Sequence, residues 1–301
     1  MKAQSFLLVV ALNVWLSACS VSNTGELYYL NAYQDEVWVM ATDGTNARMI
    51  SDDAQTPDGI AVDVEKQLVY WSNMGNILGN RNNGSISCFD LNTDNQHTLI
   101  PVGDTFTPKQ IVLEKQQPNN FIYWSDREGQ KVYRAEISDC QLITMEVLVD
   151  YTDFPVTYQP VGIAVDGDYF YWTVKDEGTV NRAALNQRFP TNQWQELYSG
   201  VAEPIDLQLD AASNSIYLTT RGDNRVYRGD LDGSGELEEV GTGITELIGL
   251  DLDLKNNDIY YSDVGGSIYR LNLDTGRRVI LQRGLPIISP LAKTGVAFVG
   301  G

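Results

Sequence analysis

The chain has 301 residues, 43% of them apolar and 10% aromatic, enough to bury a sizeable core and too apolar for a disordered polypeptide. Its 40 acids against 21 bases leave a formal charge of -19, which repels phosphate backbones and anionic lipid faces, so nucleic acid is excluded as a partner.

Residues 1–18 read MKAQSFLLVVALNVWLSA: one charge at Lys2, an apolar run from Phe6 to Leu16, then small residues. That is the pattern of a signal peptide, and the run is too short to span a bilayer. The next step, Leu16-Ser17-Ala18-Cys19, resembles the lipobox of bacterial lipoproteins. The resemblance implies cleavage after residue 18, acylation of Cys19 and a short tether over 19–25. Because one acyl chain holds a protein only marginally, the two or three chains of a lipoprotein would make the attachment stable. Ser20, where an Asp would signal inner-membrane retention, implies an outer-membrane site facing the periplasm, with the membrane contacted through lipid alone.

Beyond the tether one phrase returns six times: LYYLN (27–31), VYWSN (69–73), IYWSD (122–126), FYWTV (170–174), IYLTT (216–220) and IYYSD (259–263). Tyr28, Tyr70, Tyr123, Tyr171, Tyr217 and Tyr260 are spaced by 42, 53, 48, 46 and 43 residues, close to the length of a four-stranded propeller blade. A short apolar strand precedes five of the copies, as in PDGIAVD (57–63) and PVGIAVD (160–166). An alternating strand follows, as in VYRAEI (132–137) or VYRGDL (226–231), then a polar turn and a fourth strand. The first copy lacks a preceding strand, while KTGVAFV (293–299) aligns on PDGIAVD with Gly295 matching Gly59. A C-terminal strand that completes the N-terminal blade would close the ring and remove two open sheet edges.

Together these segments resemble the YWTD repeats of low-density-lipoprotein-receptor-type propellers, over roughly residues 26–299. The expected fold is therefore all-β: one six-bladed β-propeller of four-stranded antiparallel blades over 26–301, and a monomer. Trp71, Trp124 and Trp172 are expected as fillers between blades, with Trp38 and Trp194 outside the phrase. The acid ending the phrase is expected to pair with an arginine on the next strand, Asp126 with Arg134 and Asp263 with Arg270, whereas Arg182 and Arg228 lack such a partner. Cys88 and Cys140 fall at unlike positions of neighbouring units and are expected as free, mostly buried thiols.

No catalytic set is visible. The single histidine, His97, lies in a fourth-strand segment at the outer rim, so a Ser-His-Asp or Cys-His mechanism lacks its base. Asp230-Leu-Asp232-Gly-Ser234-Gly235 matches the start of a calcium loop, but position twelve would be Gly241, and a hairpin turn already accounts for the stretch. Gluconolactonase-type propellers hold a divalent ion in the channel with residues from the start of the inner strands. The matching positions are Asp58, Lys109, Val161, Ile205 and Ile248, with Gln110 and Asp206 one residue further. Asp58 and Asp206 would supply oxygens; Lys109 is a poor neighbour for a cation. Matching loops carry Arg127, Lys175 and Arg221, against which Glu128, Asp176 and Asp223 stand as counter-charges. A long polar loop (74–85) and the aromatics Tyr151, Phe154 and Tyr158 complete the candidate face.

The expected function is non-catalytic: a lipid-anchored binding or scaffold protein, without cofactor, that recognises a protein, peptide or saccharide on one face. The alternative is a metal-dependent, lactonase-like hydrolase with Asp58 and Asp206 in the channel.

Overall fold

The computed structural model describes residues 25–79, 82–116, 118–284 and 292–300. The signal peptide, Cys19 and all of the tether except Gly25 lie outside the described residues.

Each copy of the phrase forms the second strand of an antiparallel sheet. The first sheet contains β1 (Glu26–Asn31), β2 (Glu36–Ala41) and β3 (Arg48–Ser51). Blade 2 follows as β4 (Pro57–Asp63), β5 (Leu68–Asn73), β6 (Gly84–Asp90) and β7 (Asn95–Thr105). Blade 3 is β8 (Pro108–Glu114), β9 (Asn120–Asp126), β10 (Lys131–Ser138) and β11 (Gln141–Asp150). Blade 4 is β12 (Pro160–Val165), β13 (Tyr169–Val174), β14 (Thr179–Ala184) and β15 (Gln195–Tyr198). Blade 5 is β16 (Pro204–Asp210), β17 (Ser215–Thr220), β18 (Arg225–Asp230) and β19 (Glu238–Thr242). Blade 6 is β20 (Leu247–Asp253), β21 (Asp258–Asp263), β22 (Ile268–Asn272) and β23 (Arg278–Gln282). The last strand, β24 (Lys293–Val299), pairs antiparallel with β1 and gives blade 1 its inner strand, as the sequence offset required. Closure leaves each sheet facing a neighbour on both sides, which removes the exposed faces an open stack would have.

The phrase fills the gaps between blades because its side chains alternate across the sheet. Its tyrosine faces the next blade: Tyr70 packs with Ile111 and Ile122 of blade 3, and Tyr123 with Ile163 and Phe170 of blade 4. The following tryptophan faces the previous blade: Trp124 shares a core with Ile86 and Cys88, and Trp172 with Val132 and Leu148. Trp71, Trp124 and Trp172 are fully buried, and each indole N–H finds an acceptor, on Asn73, Thr105 and Tyr151 respectively. A buried ring of this size removes about 150–250 Å² from water, so these residues dominate the interblade cores.

The hydroxyl next in the phrase ties neighbouring inner strands together. Five inner strands bulge after their first residue, which frees the next two residues from pairing within the blade. In blade 2, Gly59 N donates to Ser72 Oγ at 2.8 Å, and Ser72 Oγ donates to the Lys109 carbonyl of blade 3 at 2.6 Å. Thr173 repeats the relay between Gly162 N and the Ile205 carbonyl, Thr219 between Asp206 N and the Ile248 carbonyl, and Ser262 between Gly249 N and the Thr294 carbonyl. Ser125 donates to the Gly162 carbonyl. Blade 1 has Leu30 at this position, and Thr294 of β24 supplies the hydroxyl instead, donating to the Pro57 carbonyl at 2.8 Å. Strands lie so close here that a Cβ on Gly59 would sit 2.6 Å from the Lys109 carbonyl, and one on Gly295 2.7 Å from the Asp58 carbonyl. At Gly59 and Gly295 the neighbouring strand therefore leaves no room for a Cβ.

Two expectations are corrected. Cys88 and Cys140 form a disulfide, Cα–Cα 5.5 Å, that staples blade 2 to blade 3. Their unlike strand positions are compatible because Cys140 sits in the hairpin turn after β10, and the neighbouring blade brings that turn against β6. Asp126 does not pair with Arg134. Instead it caps the turns around its strand, accepting from Thr105 Oγ1, Phe106 N, Thr107 N and Gly129 N at 2.7–3.0 Å. Arg134 lies over the Phe121, Tyr123 and Phe189 rings and pairs with Glu146. Likewise Asp263 accepts from Ser267 N and Tyr269 OH, while Arg270 reaches Asp258 at 4.0 Å. Facing strands two and three puts Asp126 opposite Lys131 and Arg134 opposite Tyr123, so the arginine stands three residue pairs along from the acid and on the other face of the sheet.

Candidate functional site

Inner strands begin and second strands end on the same side of the ring, so the connections between blades and the turns between strands two and three share one face. The central channel opens at its middle. Second positions of the inner strands line this mouth: Asp58, Lys109, Val161, Ile205, Ile248 and Thr294. Val161, Ile205 and Ile248 pack together with Val264, making one wall apolar. The other wall is polar: Lys109 Nζ lies 3.4 Å from Asp58 Oδ2 and 2.8 Å from Met74 Sδ, and Gln110 Nε2 lies 3.5 Å from Asp58 Oδ2. Burial lowers the Lys109 ammonium to about 8, reinforced by Arg127 and opposed by Asp58 and Glu128.

Asp206 is also buried, and its two oxygens accept from Leu207 N at 2.8 Å and Leu250 N at 2.9 Å. Desolvation pushes its carboxyl well above the ordinary value against those two donors, with Asp251 and Asp58 adding to the rise. Lower in the channel, Asp251 accepts from Leu252 N and from Phe298 N of the closing strand, and burial raises it to about 6. These residues do not fit a divalent cation. Asp58 already faces an ammonium, Asp206 spends its oxygens on backbone N–H groups, and among the described residues no three His, Cys, Asp or Glu side chains form a metal-holding group.

Arg127, Lys175 and Arg221 stand on the face as the sequence alignment places them, and each is held by an acid. Arg127 pairs with Glu128 at 2.6 Å, as expected. The other partners differ from Asp176 and Asp223. Lys175 reaches Glu203 at 3.1 Å and Arg221 reaches Glu246, both acids on the connection leading into the next blade. Two of the three bases are therefore interblade clasps. Asp223 accepts from Thr220 and Tyr227, and Asp176 from Gln159 N. Asp230–Gly235 is the hairpin turn, with Asp232 Oδ1 accepting from Ser234 N, and His97 is exposed on the outer strand of blade 2.

The sequence reading missed most of the face's exposed apolar residues. Tyr33, Leu78, Phe106, Phe154, Val156 and Ile244 all project from its loops, Leu78 with 96% of its surface in water. Val102 adds to them from a bulge over residues 101–104 at the outer edge of blade 2. At the opposite end of the ring, large exposed apolar side chains among the described residues are Val64, Tyr169 and Leu254. A single apolar residue inside a polar turn carries no periodicity, so only Phe154 and the 74–85 loop were signalled.

Compared with known proteins, the chain is 32% identical over 289 residues to low-density lipoprotein receptor-related protein 1 of Pyricularia oryzae, covering 85% of this chain and 90% of that one. The chain belongs to the low-density-lipoprotein-receptor-related family of YWTD propellers. Another fungal relative of this propeller is the 3-hydroxyacyl-CoA dehydrogenase-like protein LAM1 of Cochliobolus heterostrophus, 29% identical over 83% of the chain; the propeller spans 58% of its length. Protein cueball of Drosophila persimilis matches 42% of the chain at 30% identity, which is 18% of cueball. Among solved structures, a chain of the nidogen/laminin complex superposes with a TM-score of 0.71 at 18% identity, over 91% of this chain and 98% of that one. A catalytically inactive virginiamycin B lyase from Staphylococcus aureus shares the fold at a TM-score of 0.55 and 15% identity, over 90% and 78%. No protein-family model matches.

Proposed function

We propose that this propeller is a non-catalytic binding or scaffold module that docks a protein or peptide across its loop face. The observation that carries this reading is the concentration of exposed apolar side chains on that face, around a mouth whose charges are already engaged with one another. Apolar surface of this kind marks contact sites rather than an ordinary solvated end. A family relative named as a receptor-related protein, and a similar propeller that is part of a nidogen/laminin complex, support the same role. The channel residues offer no donor set for the metal-dependent hydrolase alternative.

Photocrosslinking tests the docking. A photoreactive amino acid at Phe106 or Phe154 should give a discrete protein adduct in native material, and one at Leu254 on the other face should not. Equal labelling from both faces, or none, counts against the reading; an adduct of carbohydrate alone would make the ligand a saccharide.

We also infer an N-terminal lipid anchor at Cys19, for localisation at a membrane surface. The sequence Leu16-Ser17-Ala18-Cys19, at the end of the apolar run, supports it. Cys19→Ala should release the protein in soluble form; membrane retention unchanged by the substitution would refute the anchor.

A further inference from the structure

We propose that the part of the loop face on blades 3 and 4 receives a basic, arginine-bearing polypeptide segment, an inference that rests on the docking reading above and names the partner's chemistry. The connection from β11 to β12, residues 151–159, is built as an aromatic platform. Tyr151 is buried and stacks on Tyr158 with centroids 4.6 Å apart; Phe154 meets both edge-on at 5.6 Å and lies 6.1 Å from Trp194. Backbone ties fix it to both blades: Tyr151 N donates to the Gln130 carbonyl, Tyr158 N to Gln130 Oε1, Lys175 N to the Gln159 carbonyl and Gln159 N to Asp176 Oδ1. Phe154 and Val156 are therefore held outward before any partner arrives, and little ordering remains to be lost on binding.

The rim of the platform is acidic. Asp153 is exposed beside Phe154, and Asp176 and Glu177 are exposed on the adjoining turn of blade 4. Among the described residues no lysine or arginine forms an ion pair with these three, whereas the neighbouring bases are engaged: Lys131 with Asp150 at 3.4 Å, Lys175 with Glu203 and Arg127 with Glu128. A guanidinium suits both halves of the surface, lying flat on a ring while donating to a carboxylate. The chain uses the same solution internally, where Arg134 covers the Phe121 ring at 5.2 Å and pairs with Glu146. An acidic segment would meet like charge at Asp153, Asp176 and Glu177.

Since a chain of charge -19 attracts any polycation, the test compares two sets of acids at equal net charge. The probes are a short synthetic arginine–leucine peptide and its glutamate–leucine counterpart, titrated calorimetrically against the purified propeller at about 0.15 M salt. The arginine peptide should bind and the glutamate peptide should not. The triple change Asp153→Asn/Asp176→Asn/Glu177→Gln should weaken binding by about tenfold or more, and Phe154→Ser by a similar factor. Asp94→Asn/Asp168→Asn/Glu236→Gln, on turns at the opposite end, should leave it within about twofold. Equal losses in the two triple variants, or equal binding of the two peptides, would overturn the proposal. An acidic segment crosslinked at Phe154 would do so too while leaving the docking reading intact; absence of any discrete adduct would remove that reading itself. The charge variants keep the test valid if Phe154→Ser fails to fold.

Discussion

Ser72 donates its hydroxyl proton to the Lys109 carbonyl at 2.6 Å, across the boundary between two blades. Thr173, Thr219 and Ser262 repeat the bond, so the small residue of the phrase latches inner strand to inner strand while its aromatic neighbours fill the layers between blades. Removing one latch strands a buried N–H and a buried carbonyl. Thr173→Val, which keeps the shape, should cost about 1–3 kcal/mol in urea unfolding, and Thr173→Ser under about 1. A valine variant as stable as the parent would show that the latch contributes nothing net.

Asp126 accepts four hydrogen bonds in a fully buried position, while Arg134 caps an aromatic cluster at the surface. Asp126→Ala should therefore destabilise by about 3 kcal/mol or more, because donors are left unpaired. Arg134→Ala should cost about 1 kcal/mol, through lost cation–π contact. A double variant should lose the sum of the two, since the side chains share no bond; strong coupling in that cycle would restore the ion pair expected from the sequence.

The Cys88–Cys140 bridge spans 52 residues. Loop-closure entropy for that length gives about 4 kcal/mol as the ideal stabilisation, and engineered bridges commonly deliver less. Cys88→Ser/Cys140→Ser should thus melt earlier than the oxidised parent, and a reducing agent should lower the parent to the same midpoint without affecting the variant. Titration of the unfolded, unreduced protein should detect neither thiol; two reactive thiols there would contradict the bridge.

Asp251 is raised to about 6 by burial, so the folded state prefers its proton more than the unfolded chain does. Its stabilising contribution is complete below the ordinary carboxylate range near pH 4 and is lost as pH rises through about 6. Asp206 acts in the same direction. Asp251→Asn should flatten the decline in stability between pH 4 and 7 and raise stability at pH 8. An unaltered pH profile of the melting temperature would mean that the carboxyl titrates normally.

Lys109 behaves oppositely: lowered to about 8, its charged form is penalised by folding, so stability should rise as pH increases from about 8 towards 10.5. Lys109→Met removes this rise but leaves the buried Asp58 carboxylate without its cation, at a cost of about 3 kcal/mol near pH 7. Adding Asp58→Asn should recover most of that loss. Failure of the second substitution to rescue the first would place the pair outside the energetic core of the mouth.

By itself the sequence determined the architecture. Tyr-Trp-Ser spacing, strand alternation and the displaced KTGVAFV segment are local or periodic signals, and repetition six times over multiplies each weak signal into a topology with one consistent closure. It also placed Asp58, Lys109 and Gln110 together at the channel mouth, because equivalent positions of a closed repeat must converge on its axis. What only the tertiary structure decided lies between units. Strand register set Asp126 and Arg134 three residue pairs apart on opposite faces of a hairpin, and the approach of neighbouring blades brought the turn bearing Cys140 to Cys88. The same approach turned Lys175 and Arg221 towards the next blade and left Phe106, Val156 and Ile244 in water on the loop face. Such contacts depend on the angle and separation of packed sheets, quantities that no period in the chain encodes.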